Sequence, residues 1–512
     1  MSKELKELTQ EQVQQHNKDG DLWVIIDAKV YDLSRFADLH PGGRAVLVDS
    51  EVAGQDATEA FYGLHRHEVL ERPQYARLQV GVVRGEKSVI TGRLIGGLSK
   101  VPYGEPTYLT EGFHSPYYTE NHRVFQKAVR KFFDEVVYPD AQARELDGKR
   151  PSQEVFDKMA ELNLHAMRLG PGKHLKGLSL FNGLVKPEEF DYFHELIITQ
   201  ELIRTGSRGY ADGLLGGKVI GLPPILNFGS PELKAKVVPE VFSAKKFICL
   251  AISEAHAGSD VLGMKTTAVK SEDGKYWIIN GEKKWITNGH FADYFTTGCK
   301  TEGGLTVILI PRQEGVTTKP IKSLLLSDCR NSFCHLRQRP SSSREIRSGP
   351  RTVGIFVILS NFNHERWVMI CASTRAQRMI MEECLKWISQ RKAFGKPLSS
   401  QAVVRSQSGA DERAREALQG WLENVTYQMC NMQACWPDRL LEDVAALSMR
   451  KILRETAYRS LEDVGSPDGD GPLVEHYHRT IGFDSILGGA EDVLGDLGVR
   501  QAMRMMPKNA RL

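Results

Sequence analysis

The chain has 512 residues, 41% of them hydrophobic and 26% charged, a composition ordinary for a globular protein and a length too great for one core. Its 67 basic and 64 acidic residues leave a net charge of +3, which excludes a basic footprint for nucleic acid. No run of about 18 apolar residues occurs, so no membrane span is expected; eight cysteines without C-x-x-C spacing point to a reducing compartment rather than a disulfide framework.

The first residues, Met1-Ser2-Lys3-Glu4, are polar and carry no apolar signal core. Residues 1–85 read as one unit. Trp23–Ile26 and Lys29–Leu33 read as two strands around an Asp27-Ala28 turn, and Leu78–Val83 as a closing strand. Between them stand His40-Pro41-Gly42-Gly43 and Phe61-Tyr62-Gly63-Leu64-His65. Two imidazoles from separate segments suit the two faces of a haem, which then carries single electrons. Pro41 fixes the backbone after His40, and the glycines allow it to pass a porphyrin edge. His67 competes with His65 as the second ligand. Residues 86–110 are rich in Gly, Ser, Pro and Thr and read as a linker.

Residues 111–245 read as helical, with Val124, Ala128, Val129, Phe132 and Phe133 at helical spacing. Residues 246–352 read as strands, among them Tyr276–Ile279 and Leu305–Ile310, and residues 353–512 as helical again. Three stretches break this pattern: 326–352, crowded with Arg and Ser; 406–416, polar where a helix should continue; and 458–471. Asp328–Arg339 and Tyr458–Ser466 can each be encoded so that a shifted frame reads differently, and the sequence therefore predicts a partly misread or mis-spliced coding region, at the expense of strand core and of a cofactor loop.

Within the strand region, Leu250–Asp260 ends in a small-residue loop that lets backbone amides approach a phosphate or a ring. Lys284-Trp285-Ile286-Thr287-Asn288-Gly289 sets an aromatic beside hydroxyl and amide donors, which suits a flat ring with polar edges. Arg391-Lys392-Ala393-Phe394-Gly395-Lys396 supplies cations for a pyrophosphate.

The span Trp23–Val83 resembles cytochrome b5, and residues 110–512 resemble the acyl-CoA dehydrogenase family. The expected fold is multidomain: an α+β cytochrome b5-like domain, then an N-terminal all-α domain, a middle β domain and a C-terminal α-helical bundle. The resemblances imply haem b on His40 and His65, and FAD in the second part. They imply that Ile252 and Ser253 contact the flavin, that Trp285 and Thr287 cover its face and bond its edge, and that Arg391 and Phe394 serve the FAD of a neighbouring subunit. Ser259 would meet the CoA phosphates and Arg366 the substrate. His256 departs from the family, which usually has glycine there.

The family's base is a glutamate, which most members carry before a Gly-Thr pair near the C-terminus. Here that run is Ile486-Leu487-Gly488-Gly489-Ala490, with glycine in the base position. A branch of the family carries the base on an earlier helix, and Asn363-His364-Glu365-Arg366-Trp367 matches that context, so Glu365 is the expected base and Glu491 the fallback. The expected activity is oxidation of an acyl-CoA to the 2-enoyl-CoA, in fatty-acid or branched-chain acyl degradation, with the fused haem as electron carrier. A flavin oxidase acting on a non-CoA substrate and a haem carrier with a decayed flavin half are the alternatives. Expected partners are the acyl-CoA, electron-transfer flavoprotein or another acceptor, and further copies of the chain as a homotetramer or homodimer. The last residues, Ala510-Arg511-Leu512, resemble a peroxisomal address; a mitochondrion and the cytoplasm are the other expected locations.

Overall fold

A computed structural model describes residues 5–431 and 471–504, except 66, 72, 91–93, 322–331, 337–339, 342–343 and 346–352. The chain divides into two compact units. One is Met1–Pro102 with Met381–Ala410 and Ser460–Glu475; the other is Tyr103–Ile380 with Asp411–Arg459 and His476–Leu512.

The first unit holds a five-stranded sheet in the order Lys6–Leu8, Gln79–Val83, Lys29–Asp32, Asp21–Ile26, Asn17–Lys18. Asp27 and Ala28 take φ of 50° and 62°, the paired left-handed residues of a tight hairpin whose twist matches its strands. Leu22, Val24, Ile26 and Tyr31 pack with Leu33, Ala37, Leu47 and Tyr62 into one core. The expected linker is anchored rather than loose. The Asp27 carboxylate accepts the Val89 amide at 2.7 Å and the Ser88 hydroxyl.

The second unit joins helices to a nine-stranded sheet. Its spine runs Val316–Pro320, Ser332–Leu336, Trp277–Ile286, Thr267–Lys270, Tyr294–Thr301, Gly304–Pro311, Arg344–Glu345, and Ile248–Ala251 lies parallel to Tyr294–Thr301. Tyr294–Thr301 is buried over its first six residues, as expected of a strand covered on both faces.

Four expectations are corrected. Within 326–352, Ser332–Leu336 pairs with both Val316–Pro320 and Trp277–Ile286, because a strand edge offers backbone groups to any extended segment whatever its side-chain pattern. Residues 406–416 lie inside the helix Ala402–Asn431; their polarity is absorbed by the buried Glu412–Arg415 pair and by Glu416, which binds Arg378 at 3.1 Å. In the helix Glu120–Phe132, Val124 is 45% exposed. The buried face is instead His122, Phe125, Gln126, Val129 and Arg130, since Arg130 finds Glu105 at 2.7 Å and Glu201 at 2.8 Å inside. Finally, Tyr103–Thr110 is not a spacer: Glu105 joins that pair, and Tyr108 stacks on Tyr118 at 3.6 Å between ring centres. Segment 458–470 lies outside the described residues. Among the described residues no helix is long and apolar enough to cross a membrane.

Candidate haem and flavin sites

In the first unit a short turn, Ala37–Leu39, delivers His40, and the helix Thr58–Tyr62 delivers His65, whose amide donates to Phe61 O at 2.7 Å. The two imidazole rings lie with centres 6.0 Å apart and planes nearly perpendicular, at 87°. Two imidazoles bound trans to one metal, with bonds of about 2 Å, hold their ring centres roughly 6 Å apart. His40 Nδ1 lies 3.1 Å from Gly43 O; a proton there bonds the carbonyl and leaves Nε2 free for iron. A Cβ at Gly42 would stand 2.9 Å from His40 Cε1, so only glycine leaves the ring in place. Leu39, Val46 and Leu64 are exposed nearby in sequence, the apolar rim a porphyrin would cover. The His67 ring turns to Tyr62 instead, with its Nδ1 2.8 Å from the Tyr62 hydroxyl, whereas the His65 ring is the one that lies 6.0 Å from His40. The crevice fits a bis-histidine haem.

In the second unit the strand Ile248–Ala251 leads into Ile252 and Ser253. Ile252 O accepts the Lys283 ammonium at 2.9 Å, and Ser253 O the Lys284 amide at 2.9 Å. Beneath them Glu254 is 4% exposed. It accepts from Lys283 at 2.8 Å, from the Thr266 hydroxyl at 2.6 Å and from the amides of Lys265 and Thr266. Burial alone would raise its pKa, but these donors outweigh burial and hold the carboxyl at about 2. His256 Nε2 sits 3.2 Å from the same carboxylate, so the residue that departs from the family pattern is tied down beside the loop.

Trp285 takes φ of 65° and is half exposed, with the Lys284 ammonium 4.7 Å from its ring centre. The left-handed backbone turns an aromatic face out at the strand's end. Thr287 and Asn288 follow against a glycine-rich helical run, Asp212–Gly221. A Cβ at Gly216 would meet Thr287 Cγ2 at 3.2 Å, one at Gly217 would meet Asn288 Nδ2 at 2.8 Å, and one at Gly221 would meet the Cys249 backbone at 2.8 Å. Asn288 Nδ2 donates to Gly213 O at 3.1 Å, while its buried Oδ1 has no partner among the described residues. An exposed aromatic face and an unsatisfied buried amide oxygen fit a flat ligand with polar edges. The glycines were missed in the sequence; Gly213, Gly216, Gly217 and Gly221, at intervals of three, one and four along one helical run, were the available signal.

The helix Phe362–Gln390 carries Glu365, which is half-buried one turn from its start. Asn361 Nδ2 donates to Val219 O at 3.1 Å and docks the helix start on the glycine-rich run. His364 Nε2 lies 2.9 Å from Glu195, itself 3.2 Å from Arg168. Arg366 Nε donates to Gly488 O at 3.0 Å, and the Ala490 amide donates to the Ser259 hydroxyl at 3.2 Å. The fold thus brings Ile252, Ser253, Ser259, Trp285, Thr287, Glu365 and Arg366 into one unit. Glu491 opens the helix Glu491–Arg504. Arg391 and Phe394 belong to the first unit, on the hairpin Lys392–Ala393 and Lys396–Pro397, where Phe394 is 97% exposed. Among the described residues one group has metal-ligand spacing, His122, Asp191 and His194. Asp191 there already accepts both rings and the Phe193 and His194 amides that begin a helix.

Comparison with known proteins settles the family. The model of the cytochrome b5-like haem/steroid-binding domain matches residues 9–98, and those of the acyl-CoA dehydrogenase N-terminal, middle and C-terminal domains match 119–245, 249–336 and 352–503. The chain is 36% identical to the acyl-CoA dehydrogenase apdG of Emericella nidulans over 425 residues, covering 80% of this chain and 96% of that one. It belongs to the acyl-CoA dehydrogenase family. A second relative, the acyl-CoA dehydrogenase AFT10-1 of Alternaria alternata, is 29% identical over 79% of this chain and 96% of its own. The fold matches a glutaryl-coenzyme A dehydrogenase–glutaryl-CoA complex with a TM-score of 0.66 at 20% identity, covering 78% and 99% of the two chains. It also matches butyryl-CoA dehydrogenase of Megasphaera elsdenii, with a TM-score of 0.66 at 18% identity and coverage of 76% and 100%.

The protein is therefore an oxidoreductase of CH–CH groups, an FAD-dependent acyl-CoA dehydrogenase fused to a haem-binding cytochrome b5-like domain.

Proposed function

We propose that Glu365 removes the α-proton of an acyl-CoA thioester and that the electrons released pass to the chain's own haem. One observation carries the assignment of the base. A side chain at Gly488, where most of the family has its glutamate, would enter crowded space: its Cβ would stand 3.0 Å from Met369 Cε and 3.2 Å from Arg366 Cγ, and both would have to give. Met369 and Arg366 lie on the helix that bears Glu365, so that helix both crowds the usual seat of the carboxylate and supplies another. His364 and Arg366, its neighbours on either side, are held by Glu195 and by Gly488 O. They fix the helix turn from which Glu365 reaches the substrate.

When bound, the flavin takes the β-hydride and the haem carries electrons one at a time. Glu365 receives the α-proton, Ser259 meets the CoA phosphates, Arg366 orients the substrate, and Trp285 shields the ring from water. Electron-transfer flavoprotein is the proposed outside acceptor, a homotetramer or homodimer the proposed assembly, and the peroxisome, through Ala510-Arg511-Leu512, the proposed location.

The test is anaerobic mixing of purified protein with acyl-CoAs of several lengths. Glu365→Gln is expected to slow flavin bleaching by roughly 10²- to 10⁴-fold, the usual range for a lost general base, while Glu491→Gln bleaches at the parental rate. Parental bleaching by Glu365→Gln rejects the assignment; haem that stays oxidised after the flavin bleaches rejects the relay.

A further inference from the structure

The hairpin expected to touch FAD lies in the same compact unit as the haem crevice. Lys392, on its first strand, forms an ion pair and hydrogen bond with Glu59. Glu59 lies on the helix Thr58–Tyr62, whose end presents His65: its carbonyl accepts the Gly63 amide at 3.0 Å, and Phe61 O accepts the His65 amide at 2.7 Å. A pull on Glu59 is therefore a pull on the haem ligand, through three residues of hydrogen-bonded backbone. A second tie lies ten residues, about three turns, before the hairpin, where the Ser99 hydroxyl donates to Glu382 at 2.7 Å. The charges are complementary. The hairpin exposes Arg391, Lys392 and Lys396; the chain leading to His65 exposes Asp49, Glu51, Asp56 and Glu59.

We propose that this cationic hairpin is the docking cradle of the haem domain, with Glu59–Lys392 as its anchoring pair, and that the cradle sets the rate at which electrons reach the haem. The inference rests on the flavin-to-haem relay above. The redox balance is closed as follows: one acyl-CoA yields two electrons and two protons, each ferric haem takes one electron to become ferrous, and a one-electron acceptor outside the chain reoxidises the haem between the two transfers. Docking by exposed charges suits this task, because such pairs steer and orient at little cost in stability.

Two measurements on the full-length holoprotein test it. Carbodiimide activates carboxylates for attack by a neighbouring amine, and peptide mass spectrometry is expected to find a Glu59–Lys392 cross-link that weakens as salt rises from 0.05 to about 0.5 M, where screening shortens below 5 Å. Absence of that cross-link at low salt overturns the cradle, whatever the kinetics. In anaerobic stopped-flow with acyl-CoA, Glu59→Lys should leave flavin bleaching unchanged and slow haem reduction about three- to five-fold, and the conservative Glu59→Asp should keep most of the parental rate. A Glu59→Lys variant that reduces haem at the parental rate, or a Glu59→Asp variant as slow as Glu59→Lys, overturns it. If haem in the parent never reduces, the relay fails instead, and the cross-link alone decides the docking surface.

Discussion

Replacing Glu254 with glutamine removes one charge and almost no volume, and its cost follows from the contacts at that residue. The carboxylate is 4% exposed and accepts four hydrogen bonds, one of them from Lys283, which is fully buried. Its pKa of about 2 against an ordinary 4.5 is worth about 3 kcal/mol at about 1.4 kcal/mol per pH unit. Removing one partner of a buried pair strands the other charge, which costs about 3–5 kcal/mol. Both routes give a loss of about 3 kcal/mol at neutral pH for Glu254→Gln. The pH dependence has a definite sign. A carboxyl lowered in the folded state stabilises the fold above its unfolded value, so the parental advantage is full above about 4.5 and fades as pH falls towards 2. Urea unfolding followed by tryptophan fluorescence reads the stability, and flavin absorbance after desalting reads cofactor retention. Both should fall, since Lys283 also braces the Ile252 carbonyl. Adding Lys283→Met removes the stranded charge and should recover at least half of the loss. A single variant within about 1 kcal/mol of the parent, or a double variant no more stable than the single, refutes the reasoning.

Three other substitutions test different parts of the structure. Arg130→Met leaves Glu105 and Glu201 buried without their shared cation and should cost about 3–5 kcal/mol in denaturant unfolding, far more than Lys127→Met at an exposed position of the same helix. Gly488→Ala combines a φ of 64° with a Cβ crowding Arg366 and Met369; it should cost about 1–2 kcal/mol and raise the acyl-CoA concentration needed for half-maximal bleaching. His65→Ala should abolish the six-coordinate low-spin haem spectrum, whereas His67→Ala, whose ring bonds Tyr62, should keep it; the reverse pattern exchanges the two assignments.

Much of the site was legible because its chemistry is local. His40-Pro41-Gly42-Gly43 announces a ligand on a tight turn, and the structure explains the glycine, since any Cβ at Gly42 would strike the His40 ring. Trp285 and Thr287 stood out as an aromatic beside donors. The glycines of Asp212–Gly221 did not, because their role is to let two backbones approach, which appears only once the strand Ile248–Ala251 lies against them.

The sequence by itself determined the order of the domains, the haem ligands' spacing and the absence of a glutamate at Gly488, since these are matters of residue type and chain position. Only the tertiary structure decided that Arg130 faces inward, that residues 406–416 continue a helix, and that Arg366 fills the space beside Gly488. In each case a polar residue contradicts local patterning until a partner far along the chain satisfies it: Glu105 and Glu201 for Arg130, Arg378 for Glu416, the Gly488 carbonyl for Arg366. Burial of a charge depends on that partner, and its position is fixed by the fold rather than by the neighbouring sequence.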